Sequence, residues 1–189
     1  MKRFPAVLAA TVLLVAALAT PASAALPTPA FESEVDAYAA YEGQSKCDPT
    51  PKPGVEAFRD LLKAEYKRGG DIISRDCGAG GQSEHKEGRA LDYWFKSTDP
   101  AQKAQATALL DWLLATDEHG NAHARARRLG IMYIIWNHEI WQSYAASKGW
   151  QPYTGASPHT DHIHFSFGWA GARKETTWWT SAQPVRAER

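Results

Sequence analysis

Between Ser83 and Asp92 the chain reads S-E-H-K-E-G-R-A-L-D, which sets an imidazole at His85 and a carboxylate at Asp92 on either side of Gly88. A second cluster, His159-Thr160-Asp161-His162-Ile163-His164, lies downstream. Imidazole and carboxylate are the donors of a catalytic zinc site, which takes about three protein ligands and keeps one position for water. His85, Asp92 and His164 make such a set, and Zn2+ is the ion they imply. Zinc lowers the pKa of its water toward about 7, so the water can attack a peptide carbonyl near neutral pH. Asp161, three residues before His164, is then the candidate base that passes a proton to the leaving amine. His162 and Arg75 are candidates for stabilising the developing oxyanion. Arg75 also suits a substrate carboxylate, and Ser83 suits substrate or loop positioning.

Blander readings stand beside these. His85 and Asp92 alone would read as a surface ion pair; the second cluster argues against that. Arg75 reads equally as a loop-pinning arginine, and His162 equally as a structural hydrogen-bonding residue. His159 reads as an exposed loop residue rather than a ligand. His138-Glu139 opens a zincin-like pattern, but Gln142 stands where its second histidine is needed.

Strands are the elements that bring both clusters to one ion. Arg89 to Phe95 alternates, with Ala90, Asp92 and Trp94 on one side and Leu91, Tyr93 and Phe95 on the other. His162 to Phe167 alternates too, with Ile163, Phe165 and Phe167 toward a core and His162, His164 and Ser166 opposite. Ile131 to Trp136 reads as a strand buried on both faces, and Ile72-Ile73 as the start of a short one. Helices are expected over Val55 to Arg68, Ala101 to Ala115 after the Asp99-Pro100 start signal, and Asn121 to Leu129 before Gly130. A short helix is expected within Phe31 to Tyr41. Cys47 to Pro53 and Gly78 to Gly81 read as loops, and the region Trp141 to Pro158 as loop-rich. The fold class is α+β, a small, mainly antiparallel sheet flanked by helices in a single domain.

Residues 1–24 carry Lys2 and Arg3, an apolar run and Ala22-Ser23-Ala24, the pattern of a secretory signal peptide. A membrane anchor needs roughly 20 uninterrupted apolar residues, and this run is shorter. The chain of 189 residues then divides into the signal at 1–24, an N-terminal extension at 25–54 and a metal-site domain at 55–180. Removing Lys2 and Arg3 takes the formal charge from +0 to 0 − 2 = −2, which offers nothing to nucleic acid or to an anionic membrane surface. The expected product is secreted, extracellular or cell-wall associated, monomeric, and without a membrane span. Cys47 and Cys77 are the only cysteines. In an oxidising compartment one bridge between them is expected; the alternatives are free thiols or zinc ligands, and a lone pair without CxxC spacing argues against the latter.

The first motif, Ser83, His85, Gly88, Ala90 and Asp92, resembles that of the zinc D-alanyl-D-alanine carboxypeptidase and L-alanyl-D-glutamate endopeptidase family. Asp161 and His164 resemble its second motif. The His162-x-His164 pair is similar to the wider superfamily of lysostaphin-type endopeptidases and the hedgehog domain. Ile131 to Trp141 is similar to a group of small secreted actinobacterial-type proteins. The resemblance covers roughly Ile72 to Ser166 and implies a zinc peptidase whose substrate is a peptidoglycan stem peptide. It implies His85, Asp92 and His164 as ligands, with the acid at Asp161 as general base. A reading from another class keeps the zinc without chemistry, as a metal-clamped binding module.

Overall fold

The computed structural model describes residue 26 and residues 28–181. The expected signal at 1–24 lies outside the described residues.

Three helices form the layer that supports the sheet. α1, Pro53–Tyr66, starts on a proline suited to a first helical turn, buries Val55, Phe58 and Leu62, and ends at Lys67 in the left-handed conformation. α2, Pro100–Leu114, is capped by Asp99, whose Oδ1 accepts from the N–H groups of Ala101 and Gln102 at 3.0 and 3.1 Å. α3 is shorter than the sequence suggests, Ala124–Leu129. The Asp117 carboxylate takes the N–H groups of His119 and Asn121 at 3.1 and 2.8 Å, which holds the residues before α3 in a turn.

Five antiparallel strands make one sheet: β1 Ala90–Trp94, β2 Ile131–Trp136, β3 Glu139–Gln142, β4 Gln151–Pro152 and β5 His162–Phe167, in the order β1-β5-β2-β3-β4. The fold is therefore α+β with a small antiparallel sheet. Leu91 and Tyr93 of β1, Ile134 of β2, and Ile163, Phe165 and Phe167 of β5 are wholly buried. Phe58 of α1 meets Phe165 and Phe167 edge-on, at 5.2 and 5.6 Å between centroids. The alternate residues of β1 and β5 face the other way, and the register sets Asp92 opposite His164. Short helices α4, Trp169–Ala172, and α5, Thr177–Thr180, follow β5.

Three local expectations are corrected. Phe31 to Tyr41 carries no helix. Its carbonyls are taken by arginine side chains instead: Arg128 donates to Glu34 and Glu32 at 2.6 and 2.9 Å, and Arg127 to Asp36 at 2.8 Å. Ile72 makes a single bridge to Asp92 rather than a strand. The region Trp141 to Pro158 is loop-rich, as expected, and holds only the end of β3, a 3-10 segment over Ser143–Lys148 and β4. His159, expected on an exposed loop, is buried.

The strap formed by residues 28–46 is fastened near the site. Arg89, fully buried, donates to Glu87 Oε2 at 2.8 Å, to the Phe167 carbonyl at 2.7 Å and to the Glu42 carbonyl. Glu87 Oε1 in turn accepts from the N–H groups of Ser45 and Lys46 at 2.9 and 3.0 Å. Immediately beyond the strap, Cys47 is bonded to Cys77, as expected.

Candidate metal centre

Each ligand of the predicted set is delivered by a different device. His85 sits in a 3-10 turn, Glu84–Glu87, that closes on Gly88. At Gly88 φ is +62° and a Cβ would lie 2.0 Å from the Thr50 carbonyl, so only glycine lets this turn pack against the chain. Asp92 and His164 are cross-strand neighbours on β1 and β5. All three are buried, and among the described residues they form the one group of potential ligands whose donor atoms all lie within 4.8 Å of one another.

Asp92 Oδ1 is 2.8 Å from His164 Nδ1 and 3.2 Å from His85 Nε2, and the two ring nitrogens are 3.3 Å apart. A tetrahedral ion with bonds of about 2.0–2.2 Å separates its ligands by roughly 3.3–3.6 Å. The observed triangle is close to that and slightly tighter.

The proton inventory supplies the test of fit. His85 Nδ1 lies 2.9 Å from the Ile73 carbonyl, and a carbonyl only accepts, so Nδ1 carries the ring proton and Nε2 of the neutral ring is bare. Nε2 and the Asp92 carboxylate are then two acceptors in contact with no proton between them. Such an arrangement is repulsive unless a cation lies between.

Protonation states agree. Burial pushes the His164 pKa down against the pull of Asp92, which favours a neutral imidazole. Burial would raise Asp92, yet the His164 and His85 rings beside it outweigh that and hold the carboxyl well below the usual carboxylate range. Neutral histidine and ionised aspartate are the forms that bind metal. The centre therefore suits a divalent cation, and the nitrogen-oxygen donor set suits zinc.

The triad lies at a cavity of about 370 Å³ whose wall includes Arg75, Ser83, Tyr153, His159 and His162. Of the other sequence candidates, Arg75 and Ser83 are thus on the cavity wall. The Arg75 backbone N–H donates to the His85 carbonyl at 3.2 Å. His162 Nε2 is 3.6 Å from Asp92 Oδ1. Asp161 is set apart: its side chain is 60% exposed, and its Oδ1 receives the His162 Nδ1–H at 2.7 Å. Asp161 reaches the centre only through that ring.

Several site residues carry no role in the sequence reading. His159 packs on the His162 and His164 rings at 4.8 and 5.6 Å, and burial together with those two rings pushes its pKa down to about 4. Tyr133 of β2 stacks on the His164 ring at 5.5 Å and donates to Glu84 Oε2 at 2.6 Å. Ser166 Oγ is 2.9 Å from His164 Nε2 and 3.4 Å from Glu84 Oε2. Ser166 was within reach of the strand alternation that exposed His164. Nothing in the apolar β2 run singles out Tyr133.

Fold and site together define a small α+β protein with a buried two-histidine, one-aspartate centre on the open face of an antiparallel sheet. Residues 47–164 match the family described as VldE, C-terminal domain, and the chain belongs to that family. The match opens on Cys47 and closes on His164, so it contains the whole triad. No curated protein and no solved structure matches the chain.

Proposed function

We propose that the protein is a secreted zinc hydrolase that cleaves an amide bond in peptidoglycan stem peptides, as a carboxypeptidase or an endopeptidase. The observation that carries the reading is the meeting of buried donor atoms from His85, Asp92 and His164 within 4.8 Å of one another, beside a cavity of about 370 Å³. Zinc held there supplies Lewis-acid polarisation of a carbonyl and a more acidic water. The resemblance of both motifs to cell-wall peptidases supports the substrate class.

In this reading the acid–base work is divided between neighbours. Asp161 accepts the His162 Nδ1–H, which leaves Nε2 bare toward Asp92 and able to receive a proton. Asp161 orients that ring and stabilises its charged form, the logic of a carboxylate behind a catalytic histidine. The base first sought at Asp161 itself is thus the Asp161–His162 pair. Arg75 offers a cation to a substrate carboxylate or to the oxyanion, and Ser83 a hydroxyl.

A second reading rests on one distance. His162 Nε2, 3.6 Å from Asp92 Oδ1, closes the centre as a fourth ligand if its ring moves inward, and the protein is then a zinc-stabilised binding module at the cell wall. Digestion of purified peptidoglycan by zinc-loaded protein, read by mass spectrometry, decides between them. Released D-alanine or cut cross-links from wild type, absent with His85→Ala, support the enzyme. Retained zinc with no product supports the module. Failure of the wild type to bind zinc removes both.

A further inference from the structure

The His164 ring has two tautomers, and only one suits the centre. Its Nδ1 points at Asp92 Oδ1 and His85 Nε2, so ligation requires the proton on Nε2. With the proton on Nδ1, the ring would donate to Asp92 and block the ion's place.

Unlike His85, His164 has no carbonyl to settle the question. Its Nε2 partner is the Ser166 hydroxyl at 2.9 Å, which can donate or accept. What decides is the next partner. Ser166 Oγ also contacts Glu84 Oε2 at 3.4 Å, and that oxygen already accepts from Tyr133 at 2.6 Å. A carboxylate offers Ser166 no proton, so the hydroxyl turns its own hydrogen toward Glu84. Its lone pair is left for His164 Nε2–H. Glu84, Ser166, His85, Asp92 and His164 are all buried, so solvent does not scramble the chain of donors.

We propose that Glu84, acting through Ser166, fixes His164 as the Nε2–H tautomer and thereby sets the affinity of the centre for its ion. Glu84 and Ser166 are positioning residues; neither touches the ion's place. The inference rests on the metal reading of the triad and assigns a role to a carboxylate that lies inside the first motif without being one of its ligands. Outer partners of metal-bound histidines typically contribute roughly 10–100-fold in metal affinity.

The test is zinc affinity by competition with a chromophoric chelator, for wild type, Glu84→Gln, Ser166→Ala, Ser166→Thr and His85→Ala. A glutamine amide can donate to Ser166 and so invert the tautomer, and Glu84→Gln is expected to weaken zinc about 10–100-fold. Ser166→Ala is expected to do the same, and Ser166→Thr, which keeps the hydroxyl, to restore most of the affinity. In zinc-loaded wild type the His164 Nε2–H resonance exchanges slowly with water; in Ser166→Ala it exchanges fast. A purely structural role would instead lower the melting temperature of chelated Glu84→Gln and Ser166→Ala with affinity intact. Wild-type affinity in both variants, while His85→Ala binds no zinc, overturns this inference and leaves the metal reading standing. A wild type that binds no zinc overturns both.

Discussion

At His85 one hydrogen bond fixes the chemistry of the ring. Because the Ile73 carbonyl holds the Nδ1 proton, Nε2 faces Asp92 bare, and removing the ring removes a candidate ligand without touching the strand pair. His85→Ala is therefore expected to abolish zinc binding in equilibrium dialysis while far-ultraviolet circular dichroism is unchanged. Asp161 is exposed and reaches the centre only through the His162 ring. Asp161→Ala is expected to retain zinc and to lower turnover of a stem-peptide substrate by about 10²–10⁴-fold, the usual worth of acid–base assistance. Unchanged turnover would assign the proton transfer to another group.

The clustering of His85, Asp92 and His164 was legible in the sequence because two of them obey the period of a strand and the third precedes a glycine that must turn. Asp92 and His164 alternate against apolar neighbours, so their shared face follows from geometry alone. His159 was not legible. Its burial depends on the path of the segment after β4, where its N-terminal neighbours Ser157 and Pro158 are exposed and no periodicity marks the turn. Glu84 and Tyr133 were missed because their roles exist only across the β2–β5 pairing, which brings Tyr133 beside Ser166.

At the scale of elements, arginine side chains hold much of the strap from 28 to 46. That is why its helix expectation fails: carbonyls bound to Arg127 and Arg128 cannot serve a helical ladder. The same design concentrates stability in few residues. Arg89→Met leaves Glu87 buried without its cation, and breaking such a pair costs about 3–5 kcal/mol. Urea unfolding should show that loss; a change below about 1 kcal/mol, the worth of an exposed pair, would mean the strap is held elsewhere. The Cys47–Cys77 bridge closes a separation of 30 residues and contributes about 2–4 kcal/mol. Replacing both cysteines by alanine should lower the melting temperature by roughly 5–15 °C.

For the molecule as a whole, acid stability has a named source at the turn before α3. Burial works against charge on Asp117, but the Asn121 side chain and N–H, Arg128 and the His119 N–H overcome it and hold the carboxyl below the usual range. A depressed folded-state pKa contributes stability above the unfolded value of about 3.9, and that contribution is lost as pH falls through the folded value. Asp117→Asn should therefore be less stable than wild type by about 1–2 kcal/mol at pH 7. The gap should close as pH falls below about 4. A gap independent of pH would assign the effect to packing.

β5 does two jobs at once, with phenylalanines on one side and imidazoles on the other. A slip of one residue against β1 would drive His162 and His164 into the apolar layer and turn Phe165 toward the cavity. Only the correct pairing brings the three candidate ligands together, so an ion bound there as proposed would act as a proofreader of strand alignment. Zinc present during refolding should raise the yield of native protein above that obtained when the same zinc is added afterwards.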